Sequence, residues 1–239
     1  MIDTIIHGDC LKVMPSIADK SIDMILCDLP YGTTSCAWDT IIAFEPLWQQ
    51  YKRVCKDNAA IVLFGSQPFT SKLIMSNLDM FKYALVWNKN KCGSPGLAKR
   101  RPLKTHEDIL IFSKGVETYN AQMEKGEAYI RHPTGKCRTN GHGFGFSHNT
   151  KTYINDGTRY PKSILNISRD FSAQQQIHPT QKPVPLCKYL ISTYTNVGEL
   201  VLDNACGSGS TCVAAKQLGR HFIGIEKYKK YVNIAGRAL

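Results

Sequence analysis

The sequence predicts an α/β fold built on a mostly parallel sheet, and three observations predict it. Short apolar runs recur along the chain, they are near-continuous rather than alternating, and helix-like stretches separate several of them. A run that is apolar throughout is how a strand covered on both faces reads. Alternation of such strands with helices is the pattern of a parallel sheet with helices packed against it. In order, the runs are residues 4–6, 22–27, 59–64, 83–87, 108–112, 200–202 and 221–225, which predicts a seven-stranded sheet with helices on both faces. Helices are predicted over 42–54, 67–77 and 211–218, the last closed by Gly219 as a C-terminal cap.

A length of 239 residues suits one domain with an inserted subdomain, and an apolar fraction of 43% is enough for a sizeable core. The formal net charge of +11 favours a polyanionic partner, nucleic acid first, against the plainer alternative of a basic but unselective surface. The cysteines at 10, 27, 36, 55, 92, 137, 187, 206 and 212 form no Cys-x-x-Cys pair, which argues against a zinc ribbon or a redox motif. Cys27, Cys206 and Cys212 sit in apolar segments and read as small core residues. The odd cysteine count, with no signal peptide evident, fits a reducing cytosol. No apolar stretch approaches the roughly 18 residues of a membrane span.

Between residues 115 and 177 the strand–helix rhythm fails. This glycine-rich, aromatic-containing stretch includes Asn140-Gly141-His142-Gly143-Phe144-Gly145-Phe146. Composition leaves open a flexible insertion or a recognition subdomain, but a structureless run of this length inside a domain is uncommon. The expected division is therefore a catalytic domain over 1–114 and 178–239 with an insertion over 115–177.

Near the C-terminal end, Asp203-Asn204-Ala205-Cys206-Gly207-Ser208-Gly209-Ser210 lies between a predicted strand and a predicted helix. Glycines there allow a tight turn and close approach of backbone to a ligand above a helix N-terminus. Cys212 stands where the dinucleotide fingerprint has its last glycine, and no lysine follows the loop, so neither that fingerprint nor a P-loop is present. Glu226 ends the next strand, 19 residues on (226 − 207), where an acid can accept from ribose hydroxyls. The pattern favours a ribose-bearing cofactor without a pyrophosphate, against an ordinary turn plus a surface acid. Such elements usually open a nucleotide-binding fold. Here the chain that follows is too short to complete a sheet, so the reading is a circularly permuted doubly wound domain.

Asp28-Leu29-Pro30-Tyr31 follows the apolar run at 22–27. Pro30 holds Leu29 extended, so the Leu29 carbonyl and the Asp28 carboxylate can both accept hydrogens from one planar amine. Tyr31 offers an aromatic face to a base. Two acceptors on one exocyclic amine localise its lone pair and align it for attack on an electrophilic carbon. The alternative is an Asp-x-Pro turn closing a strand.

Asp28-Leu29-Pro30-Tyr31, then His178-Pro179-Thr180-Gln181-Lys182-Pro183, then the stretch 203–211 resemble the three diagnostic motifs of amino-group DNA methyltransferases, a family of bacteria and their phages. Their order, acceptor motif first and cofactor glycines last, is similar to the β-group arrangement. The resemblance covers most of the chain outside 115–177. It implies a permuted Rossmann-like methyltransferase fold with S-adenosylmethionine as methyl donor. By that resemblance Asp203, Gly207, Gly209, Thr180 and Lys182 line the methionine part, Glu226 the ribose, and Asp9 with Cys10 the adenine. The family usually has proline at position 29, where this chain has leucine; because a backbone carbonyl acts there, activity is expected to survive. Asp at the first motif position points to adenine N6, whereas serine there suggests cytosine N4. Region 115–177 then falls where the family carries its target-recognition region.

The stretch 88–104 carries Lys89, Lys91, Lys99, Arg100, Arg101 and Lys104 without an acid. It reads as phosphate-contacting or as a solvated loop. A duplex base is out of reach of a buried methyl group, so the target is expected to flip out against Tyr31. His132, His142 and His148 lack compact metal-ligand spacing, and no metal is expected. Trp38, Trp48 and Trp87 read as packing residues, although Trp38-Asp39 follows the acceptor motif closely enough to border its pocket, and Lys227, Lys229 and Lys230 read as a solvated helix face. The expected substrate is DNA. The sequence admits a homodimer and leaves open a restriction endonuclease partner. Competing readings are cytosine-N4 or RNA methylation, a non-catalytic nucleic-acid binder on a decayed fold, and a nicotinamide oxidoreductase.

Overall fold

A computed structural model describes residues 2–33, 39–90, 92, 95–132, 152–168 and 181–239. In chain order the first elements are Thr4–His7 (β1), Cys10–Val13 (α1), Ile22–Cys27 (β2), Phe44–Val54 (α2), Cys55–Gly65 (β3), Phe69–Met75 (α3), Phe81–Asn88 (β4) and His106–Phe112 (β5). The short strands Glu124–Lys125 (β6), Tyr129–Arg131 (β7), Tyr153–Asn155 (β8) and Thr158–Arg159 (β9) follow. Ile164–Asn166 (β10), Val184–Tyr194 (α4), Leu200–Asp203 (β11), Ser210–Gln217 (α5), His221–Glu226 (β12) and Lys229–Ala238 (α6) come last.

Among the described residues the main sheet has eight strands in the order β1-β12-β11-β2-β3-β5-β4-β10. All neighbours pair in parallel except β5, which is antiparallel to both β3 and β4. The unbroken apolar runs now have a cause. In β2, Ile22, Ile25 and Cys27 enter one apolar cluster while Met24 and Leu26 enter the other. In β3, Ile61 and Leu63 separate from Val62 and Phe64 in the same way. Successive side chains point to opposite faces, so a strand covered on both sides is apolar at nearly every position; the exception in β2, Asp23, is satisfied by Lys56 and Leu200 N. Leu47, Trp48 and Tyr51 of α2 and Phe69 and Leu73 of α3 close the first cluster; Leu186, Leu190 and Ile191 of α4 and Ala214 of α5 close the second.

Three elements differ from expectation. The sheet gains β10, which pairs with β4 through Ile164↔Val86 and Asn166↔Asn88; three residues are too few to register as an apolar run. Helices α1 and α4 also went unread. Pro183 precedes α4 and Pro185 lies inside its first turn, where a missing N–H costs nothing. The glycine-rich stretch also divides more narrowly than 115–177. The second compact unit spans 121–162. Residues on either side belong to the main unit: Thr118 N donates to Asn58 O (3.1 Å), Asn120 N to Thr193 O (2.7 Å), and 164–166 is β10. Within the second unit β6 pairs with β9 and β7 with β8, both antiparallel. Its turn at Gly157 needs glycine: φ is +97°, and a Cβ there would lie 2.6 Å from Gly126 O. Arg159 lies over the Tyr129 ring at 4.9 Å. Among the described residues no helix is long and apolar enough to cross a membrane.

Candidate active site

Sheet topology decides what meets. β11 and β2 are parallel neighbours, with Leu202 opposite Ile25, so Asp203 and Asp28 leave the sheet side by side at its carboxyl edge. β11 leads through α5 to β12, and β2 leads through α2 to β3 on the other flank. Such a point of divergence leaves a crevice above the strand ends. A cavity of about 450 Å³ lies there, lined by Asp9, Cys10, Asp28, Leu29, Pro30, Tyr31, Lys182, Asp203, Gly207, Ser210 and Glu226, among others. The two motifs, 175 residues apart (203 − 28), thus wall one space.

On one wall the glycine loop is held by Glu226. Its Oε2 accepts from Gly207 N (2.9 Å) and its Oε1 from Tyr228 N (2.8 Å). Each carboxylate oxygen has a second lone pair, so capacity for a ligand hydroxyl remains. Gly207 and Gly209 have φ of +52° and +82°, a left-handed geometry that L side chains rarely adopt. At Gly209 space is limiting as well, since a Cβ there would stand 2.9 Å from that of Ala235 in α6. Asp203 is buried and accepts from Ala205 N at 3.2 Å. Burial pushes its carboxyl up to about 7, with a hydrogen bond from Thr211 opposing. Asp9 caps α1 through Leu11 N at 3.0 Å. Cys10, whose thiol is raised by burial, is the first residue of that helix. The hydroxyl of Ser210, at the start of α5, is buried and has no hydrogen-bond partner among the described residues. A cleft with a buried hydroxyl, a helix N-terminus and a partly used carboxylate fits a nucleoside-type cofactor.

The opposite wall is made of charged side chains. Tyr31 Oη donates to Asp28 Oδ1 at 2.8 Å, and Lys182 Nζ donates to Asp28 Oδ2. Lys182 Nζ also stands 3.2 Å from Glu107 Oε2, and Lys89 Nζ 3.0 Å from Glu107 Oε1. Burial raises the Asp28 carboxyl, partly countered by Lys182. Burial alone would lower the Lys182 ammonium, but the Asp28 and Glu107 carboxylates outweigh it and raise it. Burial and the Asp28 charge push the Tyr31 phenol well above its usual range, so it remains a donor. Phe69 stacks on one face of the Tyr31 ring at 4.9 Å. Asp39 accepts from Gly32 N and Thr33 N, both at 2.8 Å, and so fixes the turn after the motif. Leu29, at 3% exposure, is seated in the first apolar cluster.

Several sequence readings shift. Lys182, expected against the cofactor, has its ammonium on Asp28 and Glu107. Lys89, expected at DNA phosphates, is 14% exposed and committed to Glu107, because β4 carries its end to the same sheet edge. Lys104 Nζ donates to Ser66 Oγ at 2.6 Å, while Lys99, Arg100 and Arg101 are exposed. Lys227 is exposed, as a solvated face requires, and also borders the cavity with Tyr228 and Tyr231. Trp48 and Trp87 are buried, with their indole N–H groups on Ser76 Oγ and Ile167 O, both at 2.8 Å. Thr180, Lys91, Trp38, Cys137, His142 and His148 lie outside the described residues. Asp39 borders the cavity, as its place just after the acceptor motif predicts, whereas Glu107 and Ser210 were missed. An acid next to an apolar run, as in His106-Glu107-Asp108, was the one available signal for Glu107.

A permuted doubly wound sheet whose switch point joins an acceptor motif to a glycine loop defines a methyltransferase fold. Residues 22–237 match the model of the N6/N4 DNA methylase family, and the chain belongs to that family. Over its full length it is 27% identical to the type II methyltransferase M.HinfI of Haemophilus influenzae, of which it covers 68%. It is also 27% identical to the type II methyltransferase M.HindIII of Haemophilus influenzae Rd, over 98% of this chain and 94% of that protein. The fold is shared with M1.HpyAVI in complex with S-adenosylmethionine (TM-score 0.67, 24% identity, 98% of each chain). It is shared too with the cytosine-N4-specific PvuII DNA methyltransferase (TM-score 0.72, 17% identity, 98% of this chain and 85% of that one). The chain is a DNA methyltransferase whose methyl donor is S-adenosylmethionine.

Proposed function

We propose that the chain methylates the exocyclic N6 amine of adenine in DNA, with Asp28 and the Leu29 carbonyl as the two acceptors of that amine. The observation that carries this reading is that Asp28 and Gly207 wall one cavity. Asp28 is oriented by Tyr31 and Lys182. Together with the Leu29 carbonyl it favours a pyramidal amine nitrogen with a localised lone pair, and fixing both reactants in line supplies much of the rate. Asp28 need not be a strong base, because the amine becomes acidic as positive charge develops on nitrogen. Asp203, Gly207, Gly209, Ser210, Glu226, Asp9 and Cys10 would hold S-adenosylmethionine, which when bound supplies an electrophilic methyl on sulfur.

The duplex must present its base extruded, since the acceptor lies at the sheet edge inside a cavity. The exposed Lys99, Arg100 and Arg101 suit phosphate contact, and the 121–162 unit, by its position in the sequence, is the candidate for target recognition. M.HinfI and M.HindIII are named type II methyltransferases, which supports a cytosolic role paired with a restriction endonuclease. The test is incubation with labelled S-adenosylmethionine and DNA, followed by nucleoside analysis. Labelled N6-methyladenine is expected, and labelled N4-methylcytosine alone would overturn the adenine assignment.

A further inference from the structure

Both oxygens of the Asp28 carboxylate are engaged, Oδ1 by the Tyr31 hydroxyl and Oδ2 by the Lys182 ammonium. A substrate amine that is to be gripped by Asp28 therefore meets an oxygen already holding a cation. Lys182 cannot simply swing into solvent, since its side chain is 9% exposed and its ammonium lies 4.8 Å from the centre of the Phe64 ring. A buried ammonium without a counterion is costly. Glu107 answers this geometry with its Oε2 3.2 Å from the same nitrogen.

The position of Glu107 follows from the reversed strand. β5 runs antiparallel to β3, with Asp108 opposite Gly65, so it is the beginning of β5 that reaches the carboxyl edge of the sheet. β4 ends at the same edge, with Asn88 opposite His106, and so delivers Lys89 to the far oxygen of Glu107 at 3.0 Å. Cation and anion alternate along Lys89, Glu107, Lys182 and Asp28, and Tyr31 closes the row. Glu107 and Lys89 have side-chain exposures of 17% and 14%, too deep for an ordinary surface pair.

We propose that Glu107, fixed by Lys89, is a positioning residue: it gives the Lys182 ammonium a second seat, so that Asp28 is paired in the resting enzyme yet can release one oxygen to the amine of the target base. The proposal rests on the reading of Asp28 as the acceptor of that amine. The groups facing Asp28 are Lys182, Tyr31 and Glu107 with, from β11 and β2, Asp203 and Cys27. Without the Glu107 charge, Lys182 is left on Asp28 alone. The amine must then displace an undivided ion pair, and Asp28 ionises at lower pH. Without Lys89, Glu107 draws Lys182 toward itself and adds uncompensated negative charge, so Asp28 ionises at higher pH.

The test is the pH dependence of the single-turnover methyl-transfer rate at saturating S-adenosylmethionine and DNA, for Glu107→Gln and Lys89→Met beside the parent chain. Folding is checked by circular dichroism and cofactor affinity by calorimetry. Glu107→Gln is expected to transfer about tenfold more slowly, with cofactor affinity held and its acid limb moved down by about one pH unit. Lys89→Met is expected to move that limb up. Opposite displacements cannot arise from generic loosening, and either variant alone reports its sign if the other fails to fold. Limbs that coincide with the parent's, or move the same way, overturn the proposal. Asp28→Asn separates the two levels. Loss of transfer with unmoved limbs in the other variants sinks only the role of Glu107, whereas retained transfer removes Asp28 as acceptor and the proposal with it.

Discussion

On the wall proposed for the cofactor the framework is largely main chain, with two left-handed glycines and a helix N-terminus, held by a carboxylate whose oxygens tie down Gly207 N and Tyr228 N. On the acceptor side the contacts come from five side chains in a row, Lys89, Glu107, Lys182, Asp28 and Tyr31. A ligand that is the same in every turnover can be met by rigid backbone. A base that must enter, react and leave is met by charges that can re-pair. The two walls should therefore fail in different ways when damaged.

Asp28→Ala gives the largest effect and falls on one wall only. Transfer is expected to drop about a thousandfold, the scale of losing a principal polar contact to the reacting group, while calorimetric cofactor affinity stays within a few-fold. A comparable loss of cofactor binding would merge the two walls into one. Gly209→Ala strikes the other wall without touching any charge. A left-handed alanine, with its Cβ against Ala235, should cost about 2 kcal/mol of stability in denaturant melts and weaken cofactor binding. Wild-type stability there would mean that the loop is more pliable than its φ of +82° implies.

Asp203 sharpens the comparison through pH. Its carboxyl titrates at about 7 in the folded chain and at roughly 4 when unfolded. Between these values the folded state binds the extra proton, so this group's contribution to the stability of the unliganded chain falls as pH rises through that window. If the carboxylate receives the cofactor's ammonium, affinity should instead rise about tenfold from pH 6 to pH 8. Asp203→Asn should flatten both trends in thermal melts and calorimetry. Leu29→Pro should matter least. Its carbonyl is retained, so transfer is expected within about threefold, with a loss of about 1 kcal/mol from the smaller buried side chain. A hundredfold drop in rate would give the leucine side chain a role of its own.

More of the residues lining the glycine-loop wall than of those lining the Asp28 wall were legible in the sequence, and the difference is physical. Glycines in a strand–helix turn and an acid at the next strand's end are local features, and Gly207, Gly209 and Glu226 could be named from spacing alone. Asp28 and Tyr31 were visible for the same reason. Glu107 was not, because an acid at the start of a strand ordinarily faces away from the carboxyl edge. Only the reversal of β5, a property of strand pairing rather than of residues 106–112, turns it inward. Lys89 was misread because a lysine in a basic loop looks solvated until its partner is known. The eighth strand escaped because three residues, Ile164–Asn166, carry no usable period.

The register of the sheet has a consequence for when the enzyme becomes an enzyme. Asp28 is made early, but the strand beside it, Leu200–Asp203, and the one beyond, His221–Glu226, emerge from the ribosome only after the rest of the sheet. A nascent chain therefore carries the proposed amine acceptors through most of translation before the wall proposed for the donor exists. It stays inert toward the genome until those closing strands slide into the gap between β1 and β2.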